Sequence, residues 1–430
     1  MSTRTRIVAT LGPATSSPEK IRALIEAGVD VFRLNFSHGT HEEHGRRIRA
    51  IRGLAGDRPI AILQDLCGPK LRLKRPVKGS PGDVVDLDLP ATVRPGDPVL
   101  LADGTMQLEV VDARRSRVIT GGEIPAGKGI NLPSSPLDIP SLTEKDRLDL
   151  RFGVEQGVDA VALSFVRRAS DLDEVRKTGL PVVAKIEKPE AVQRIEEIVR
   201  AADGVMVARG DLGVEIPIER VPVVQKRVIA LANREGKSVI TATQMLRSMV
   251  SSPQPTRAEA TDVANAVLDG TDAVMLSEET AMGDYPVESV RMMDRILAEA
   301  EPLLAPRRDV MGPDPADALA HAACLLAERV GAAAIVVLTT SGFTARKVAC
   351  YRPRIPLLAL AKSEEVRRRL QLVWGVRALP APWFTDAMPV LDRFRDSVRG
   401  HVPEGSSVVV TAGWPFGRPG TTNLVHVATV

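Results

Sequence analysis

Eight short, near-continuous apolar runs, each followed by a stretch with helical spacing, predict eight parallel strands covered on both faces. One interruption of different texture and a proline-rich break near residue 305 complete the pattern. Together they predict an α/β protein: a (β/α)8 TIM barrel with an inserted small β-barrel domain and a C-terminal α/β domain. The boundaries are 1–72 and 139–305 for the barrel, 73–138 for the insertion and 306–430 for the C-terminal domain. At 430 residues the chain exceeds one ordinary core, so length alone already suggests two or three domains.

The strands are expected at IVATLG (7–12), VDVFRLNF (29–36) and PIAILQDL (59–66), with helices over Pro18–Ala27 and His41–Leu54 between them. The insertion then breaks the rhythm. It is rich in Gly, Pro, Val and Asp, as in KGSPGDVVDLDLP and VRPGDPVL, and its short alternating runs between turn signals read as an all-β domain. The beat resumes with DAVALSF (159–165), PVVAKIE (181–187), GVMVARG (204–210), SVITAT (238–243) and DAVMLS (272–277). Beyond the linker APRRDVMGPDP, five more runs from AAAIVVLTT to NLVHVATV, with helical patterns between the first four, form the last domain.

Composition excludes several function classes. A hydrophobic content of 44%, with no apolar run near the roughly 18 residues that a span requires, describes a soluble globular protein. The first residues pass straight into a strand-like run without a signal-peptide core, and Cys67, Cys324 and Cys350 are scattered. A reducing, cytoplasmic location is therefore expected, without a disulfide framework or membrane partner. A net charge of +3 and 3% aromatic residues offer little to a nucleic acid.

A barrel places chemistry at the C-terminal ends of its strands. Collecting the polar residues there gives Arg33, Asn35, Ser37 and His38 after strand two, Asp65 at strand three, and Lys185 and Glu187 at strand five. Arg209 and Asp211 follow strand six, Thr243 strand seven, and Ser277 and Glu279 strand eight. Carboxylates suit a hard cation, which prefers oxygen ligands. A lysine beside them can neutralise a substrate anion as charge moves, so the mixture points to metal-assisted chemistry on a phosphorylated or carboxylated substrate.

The longer motifs VFRLNFSHG (31–39), KGINLP (128–133), AKIEKPE (184–190), DGVMVARGDLGVEIP (203–217), TATQMLRSM (241–249) and the segment 255–286 keep a fixed order along essentially the whole chain. In these the chain resembles the pyruvate kinase family. The resemblance implies phosphoryl transfer from phosphoenolpyruvate to ADP, giving pyruvate and ATP, with Mg²⁺ or Mn²⁺ as cofactor. It implies that Glu187 and Asp211 hold the metal and that Lys185 neutralises the transferring phosphoryl group. Backbone N–H groups at Gly210 and Asp211, and the Thr243 hydroxyl, should meet the substrate carboxylate. A relay near Thr243 and Ser277 is implied for protonating the enolate, while Arg33 clamps phosphate. Pro13, Asn35, His38, Arg72 and Lys128 are implied on the nucleotide side; Asp103 joins them or simply forms a DG turn.

Two departures from the family pattern stand out. Relatives that need K⁺ hold it at positions matching Asn35, Ser37, Asp65 and the Leu66 carbonyl, and carry a glutamate where this chain has Lys70. The Lys70 ammonium is expected to supply that charge, so that K⁺ is not required. The other departure, Glu278 for a commoner glycine, implies nothing catalytic. The turn Thr339, Thr340, Ser341, Gly342, Thr344 matches the family's pocket for a phosphorylated allosteric effector and equally suits an ordinary helix cap. A homotetramer is expected from the family alone.

Overall fold

The computed structural model describes residues 3–102, 104–133, 139–308, 314–381, 390–414 and 420–430. Asp103, the expected boundary at 138 and much of the linker lie outside them. Eight parallel strands close a barrel: β1 (Arg6–Thr10), β2 (Val31–Asn35), β3 (Ala61–Leu66), β4 (Ala160–Leu163), β5 (Val182–Ile186), β6 (Gly204–Ala208), β7 (Ser238–Ala242) and β8 (Ala273–Leu276). β8 returns to β1 with Arg6 opposite Ala273. The expected strands are thus all present, though shortened at one or both ends; β3 keeps its expected end at Leu66. Arg209 to Glu215, the tail of one apolar run and the charged segment after it, form a short helix.

The strand period of two sorts the barrel into layers. Val8, Leu63, Ala162, Val183, Met206 and Met275 fill the interior, whereas Val182, Ala184 and Ile186 pack outward against the helices. On β5 this alternation carries Lys185 to the inside, two residues above Val183. The helices that cover the barrel start where side chains satisfy their orphan amides. Thr40 with Glu43, Thr143 with Asp146 and Thr256 with Glu259 each form a reciprocal capping box.

The inserted segment is all-β, as expected. Among the described residues its ladders form a five-stranded antiparallel sheet and a separate two-stranded ribbon, so the expected small β-barrel is not closed by one continuous ladder. Register shifts at Gln107/Leu108 and Val110/Asp112 bend the long central hairpin and interrupt regular pairing. The domain joins the barrel through two connections paired antiparallel. Leu73 N–H donates to Lys128 O, Gly127 N–H to Leu73 O and Ile130 N–H to Leu71 O, which makes a narrow two-stranded stem.

The C-terminal domain is a sheet of order β11-β10-β9-β12-β13, from β9 (Ala334–Thr339), β10 (Leu357–Ala361), β11 (Val376–Pro380), β12 (Ser407–Ala412) and β13 (Leu424–Thr429), the last antiparallel. It docks on the bottom of the barrel, and the barrel's own sequence prepares that surface. Asp30, Asp159, Asp203 and Asp272 each immediately precede an even-numbered strand. Each accepts the N–H of a residue on the preceding odd strand, at 2.8–3.0 Å. These carboxylates then meet cations: Arg368 of the last domain lies 2.7 Å from Asp159, and the fully buried Arg352 lies 3.2 Å from Asp272. Leu372 packs with the interior cluster. Among the described residues no helix is long and apolar enough to cross a membrane.

Candidate active site

The inward alternation that is apolar low in the barrel becomes polar at its C-terminal mouth. Arg33 Nε donates to Asp65 Oδ2 at 2.6 Å, and its Nη1 donates to Thr10 Oγ1 at 3.1 Å. Lys185 lies at the centre, its side chain 9% exposed. Its ammonium reaches Glu187 Oε1 at 2.8 Å, Ser164 Oγ at 2.8 Å and Asp65 Oδ1 at 3.3 Å. Ser164 in turn donates to the Leu66 carbonyl at 2.8 Å. Sequence reading missed Ser164, although it follows the inward residues Ala160 and Ala162 in the same period of two.

Burial disfavours the charged form of Lys185, but Asp65 and Glu187 outweigh it and hold its pKa above the ordinary lysine value. Burial likewise opposes ionisation of Asp65, and Lys185 with Arg33 reverses the balance, leaving it below the usual carboxylate range. Glu187 behaves differently. Burial pushes its carboxyl up; Lys185 lowers it and Asp211 raises it again, and the net effect is upward. A cation between Glu187 and Asp211 would offset the repulsion that Asp211 exerts on the buried Glu187 carboxyl, and carboxylate oxygens suit a hard divalent ion. The residues therefore fit a divalent metal. Among the described residues no group of three or more His, Cys, Asp or Glu side chains is placed to hold one.

Asp211 sits in the first turn of the helix Arg209–Glu215. Gly210 approaches Thr243 so closely that an added Cβ would lie 3.2 Å from its methyl group, and the Gly210 N–H donates to Thr243 Oγ1 at 3.1 Å. Thr243 and Phe165 hold positive φ values of 72° and 57°, uncommon for side-chain-bearing residues and concentrated here at strand ends. Arg209, one of the converging polar groups, braces this turn. It donates to Thr243 O at 2.7 Å and pairs with Asp262 at 2.7 Å. The Ser277 hydroxyl is buried without a hydrogen-bond partner, while its N–H donates to Glu279 at 2.7 Å.

Around this centre the other expected residues separate. Asn35 Oδ1 accepts the Ser37 N–H at 3.1 Å, and Asn35 is the register partner of Asp65, so the positions expected around K⁺ are neighbours. Lys70, however, makes its ion pair with Asp211, at 3.3 Å. His38 is exposed, and partial burial followed by Arg72, Arg33 and Lys70 depresses its pKa, which locates a cluster of positive charge beside it. Arg72 is exposed on the stem of the insertion, where it donates to Gly127 O at 2.9 Å; Lys128 is exposed on the opposite side of that stem and Pro13 on a short turn after β1. Glu278 pairs with Arg247 at 2.9 Å, a surface role. Far from the mouth, the turn after β9 is internally bonded: Gly342 N–H donates to Thr339 Oγ1 at 2.8 Å, and Thr344 pairs with Thr422 at 2.8 Å. Thr340 and Ser341 are half-buried there.

Fixed positive charge facing fixed oxygen donors, at the mouth of a closed barrel that carries an inserted β domain, defines the class of barrel enzymes that act on an anionic substrate. Comparison with known proteins narrows the class. The family profile "Pyruvate kinase, barrel domain" matches residues 2–87 and 83–290, and "Pyruvate kinase, alpha/beta domain" matches residues 317–428. The chain is similar to a pyruvate kinase of Geobacillus stearothermophilus, at 46% identity over 99% of this chain and 80% of that protein. It is also similar to one of Methylorubrum extorquens, at 43% identity over 100% and 98%. The chain belongs to the pyruvate kinase family. The reaction of that family is transfer of the phosphoryl group of phosphoenolpyruvate to ADP, the ATP-forming final step of glycolysis, and it uses a divalent metal.

Proposed function

We propose that Lys185 is the phosphoryl stabiliser and that Glu187 and Asp211 hold Mg²⁺, or Mn²⁺ in its place. The observation that carries this reading is the enclosed Lys185 ammonium, between Glu187 and Asp65, with Arg33 on the far side of the same aspartate. A bound divalent ion supplies charge stabilisation for phosphoryl and enolate oxygens. Arg33 offers its guanidinium to phosphate, and Lys185 holds positive charge where negative charge shifts during transfer. The substrate carboxylate takes the Gly210 and Asp211 amides, displacing the Thr243 hydroxyl from Gly210. Thr243, and Ser277 with its unpartnered hydroxyl, then relay a proton from water to the enolate carbon. Pro13, Asn35, His38, Arg72 and Lys128 face the nucleotide. A coupled assay with phosphoenolpyruvate, ADP and Mg²⁺ tests the whole reading, and absence of pyruvate formation by folded protein would overturn it.

Lys70 replaces K⁺ in this reading. Phosphoenolpyruvate and ADP bring several negative charges into one cleft, and a tethered ammonium offsets them without capture of a free ion. Lys70→Glu places a carboxylate beside Asp211, so activity in K⁺-free buffer should fall about tenfold or more, and added K⁺ should partly restore it. A bulky organic cation at constant ionic strength separates this from screening. Wild-type protein that is almost inactive without K⁺ and strongly rescued by it would show that Lys70 does not take the cation's place.

The inserted domain acts as a lid over the nucleotide, excluding water when it closes. Its narrow stem, at Leu71–Leu73 and Gly127–Ile130, supports this. Small-angle scattering profiles should differ with and without saturating substrates and Mg²⁺; identical profiles would count against closure. The turn at Thr339, Thr340, Ser341, Gly342 and Thr344 is read as a pocket for a phosphorylated effector, the assembly as a homotetramer and the location as cytoplasmic. Sugar phosphates and nucleotides added to the coupled assay, together with sedimentation analysis, test the first two.

A further inference from the structure

Glu215 closes the helix whose first turn carries Asp211, and its carboxylate is turned inward, with a side-chain exposure of 1%. Oε1 accepts from Lys188 Nζ at 2.7 Å and from Asn131 Nδ2 at 2.9 Å. Lys188 directly follows Glu187. Its ammonium lies 5.6 Å from the centre of the Phe165 ring, and the Phe165 N–H holds Glu187 Oε2 at 2.9 Å. Asn131 ends the inserted domain's last strand, one residue beyond the stem bond from Ile130 to Leu71. One carboxylate oxygen thus joins the strand end bearing Glu187, the helix bearing Asp211 and the stem of the lid. At the same junction Glu215 Oε2 and Asn131 Oδ1 are buried without hydrogen-bond partners.

Such a junction is poorly explained by stability. A buried ion pair costs desolvation that apolar packing avoids, and two unpaired acceptors add to that cost. What the charge provides is direction: Lys188 and Asn131 can each satisfy Glu215 in only one relative placement of three separate segments. We propose that Glu215 is a positioning residue for phosphoryl transfer, setting the spacing of the two metal carboxylates and tying it to a seated lid stem. The inference rests on Glu187 and Asp211 being the metal ligands. Groups just behind metal ligands commonly tune metal affinity tenfold or more.

The test uses the full chain with Glu215→Gln, Glu215→Asp, Asn131→Ala and Asp211→Ala. Mn²⁺ binding is read by water-proton relaxation, amide exchange over 127–132 and 209–216 by mass spectrometry, and kcat and KM by the coupled assay. Glu215→Gln keeps the shape and removes the charge, and should weaken Mn²⁺ binding about tenfold, with Glu215→Asp recovering part of the loss. Asn131→Ala leaves the Lys188 pair in place. It should leave Mn²⁺ affinity within about twofold, lower kcat about tenfold with little change in KM for phosphoenolpyruvate, and speed exchange over 127–132. Folded Glu215→Gln and Asn131→Ala proteins that match wild type in Mn²⁺ affinity and kcat would overturn the proposal. If Glu215→Gln does not fold, Asn131→Ala decides alone, and unchanged kcat or unchanged exchange over 127–132 overturns it. Asp211→Ala separates the two levels: retained Mn²⁺ binding there removes the metal assignment itself, whereas its loss alongside wild-type behaviour of the other variants removes only the role of Glu215.

Discussion

Lys185→Met is expected to fold and bind Mn²⁺ at least as tightly as wild type, and to lose kcat by more than about 10²-fold. The side chain is buried, so methionine retains most of the packing of its stem. The ammonium it removes pairs with Glu187 at 2.8 Å, and in the proposed site it would compete with the metal for that carboxylate. What disappears, on the proposed assignment, is the fixed positive charge beside the transferring phosphoryl group. In a water-poor site that charge acts with little screening, which is why one group carries a large effect. Relaxation measurements with Mn²⁺ and single-turnover assays check the two halves separately. Near wild-type turnover would show that another group stabilises the phosphoryl.

The second large effect lies at the opposite end of the barrel. Arg352 has 0% side-chain exposure and donates to Asn233 Oδ1 and Gly270 O at 2.7 Å and to Ala349 O at 2.8 Å. It pairs with Asp272 at 3.2 Å and lies 5.1 Å from the centre of the Trp374 ring. Arg352→Ala leaves Asp272 buried without its cation, which should cost about 3–5 kcal/mol. Since Asn233, Gly270 and Asp272 belong to the barrel, the loss should appear as early melting of the C-terminal domain in calorimetry and as faster cleavage near the 305–315 linker. A melting profile superimposable on wild type would show that apolar contacts alone hold the domains together.

Much of this organisation is legible in the sequence. The repeated apolar runs give the eight strands because a strand buried on both faces has few polar positions, and the texture of 73–138 marks the insertion for the opposite reason. Lys185, Glu187 and Asp211 were visible because charged residues end apolar runs, which a barrel brings to one mouth. Less legible were the partners. The run GVMVARG passes into a helix sooner than its apolar pattern suggests, and the short helical turn expected at Gly210 and Asp211 is the start of the helix Arg209–Glu215. Ser164 looked like an ordinary strand residue, and its bond to Lys185 depends on the register between β4 and β5.

By itself the sequence determined the barrel, its insertion, the family and the identity of the charged groups at the mouth, because these follow from local pattern and from motifs contiguous in the chain. The tertiary structure alone decided which of those charges meet. Lys70 is 141 residues from Asp211, and Asn131 is 84 from Glu215, yet each pair is in contact. No local periodicity encodes such pairings. They arise when barrel closure and the pairing of the insertion's two connections bring separate segments together, and at Glu215 burial also removes the water that would otherwise make the choice of partner energetically unimportant.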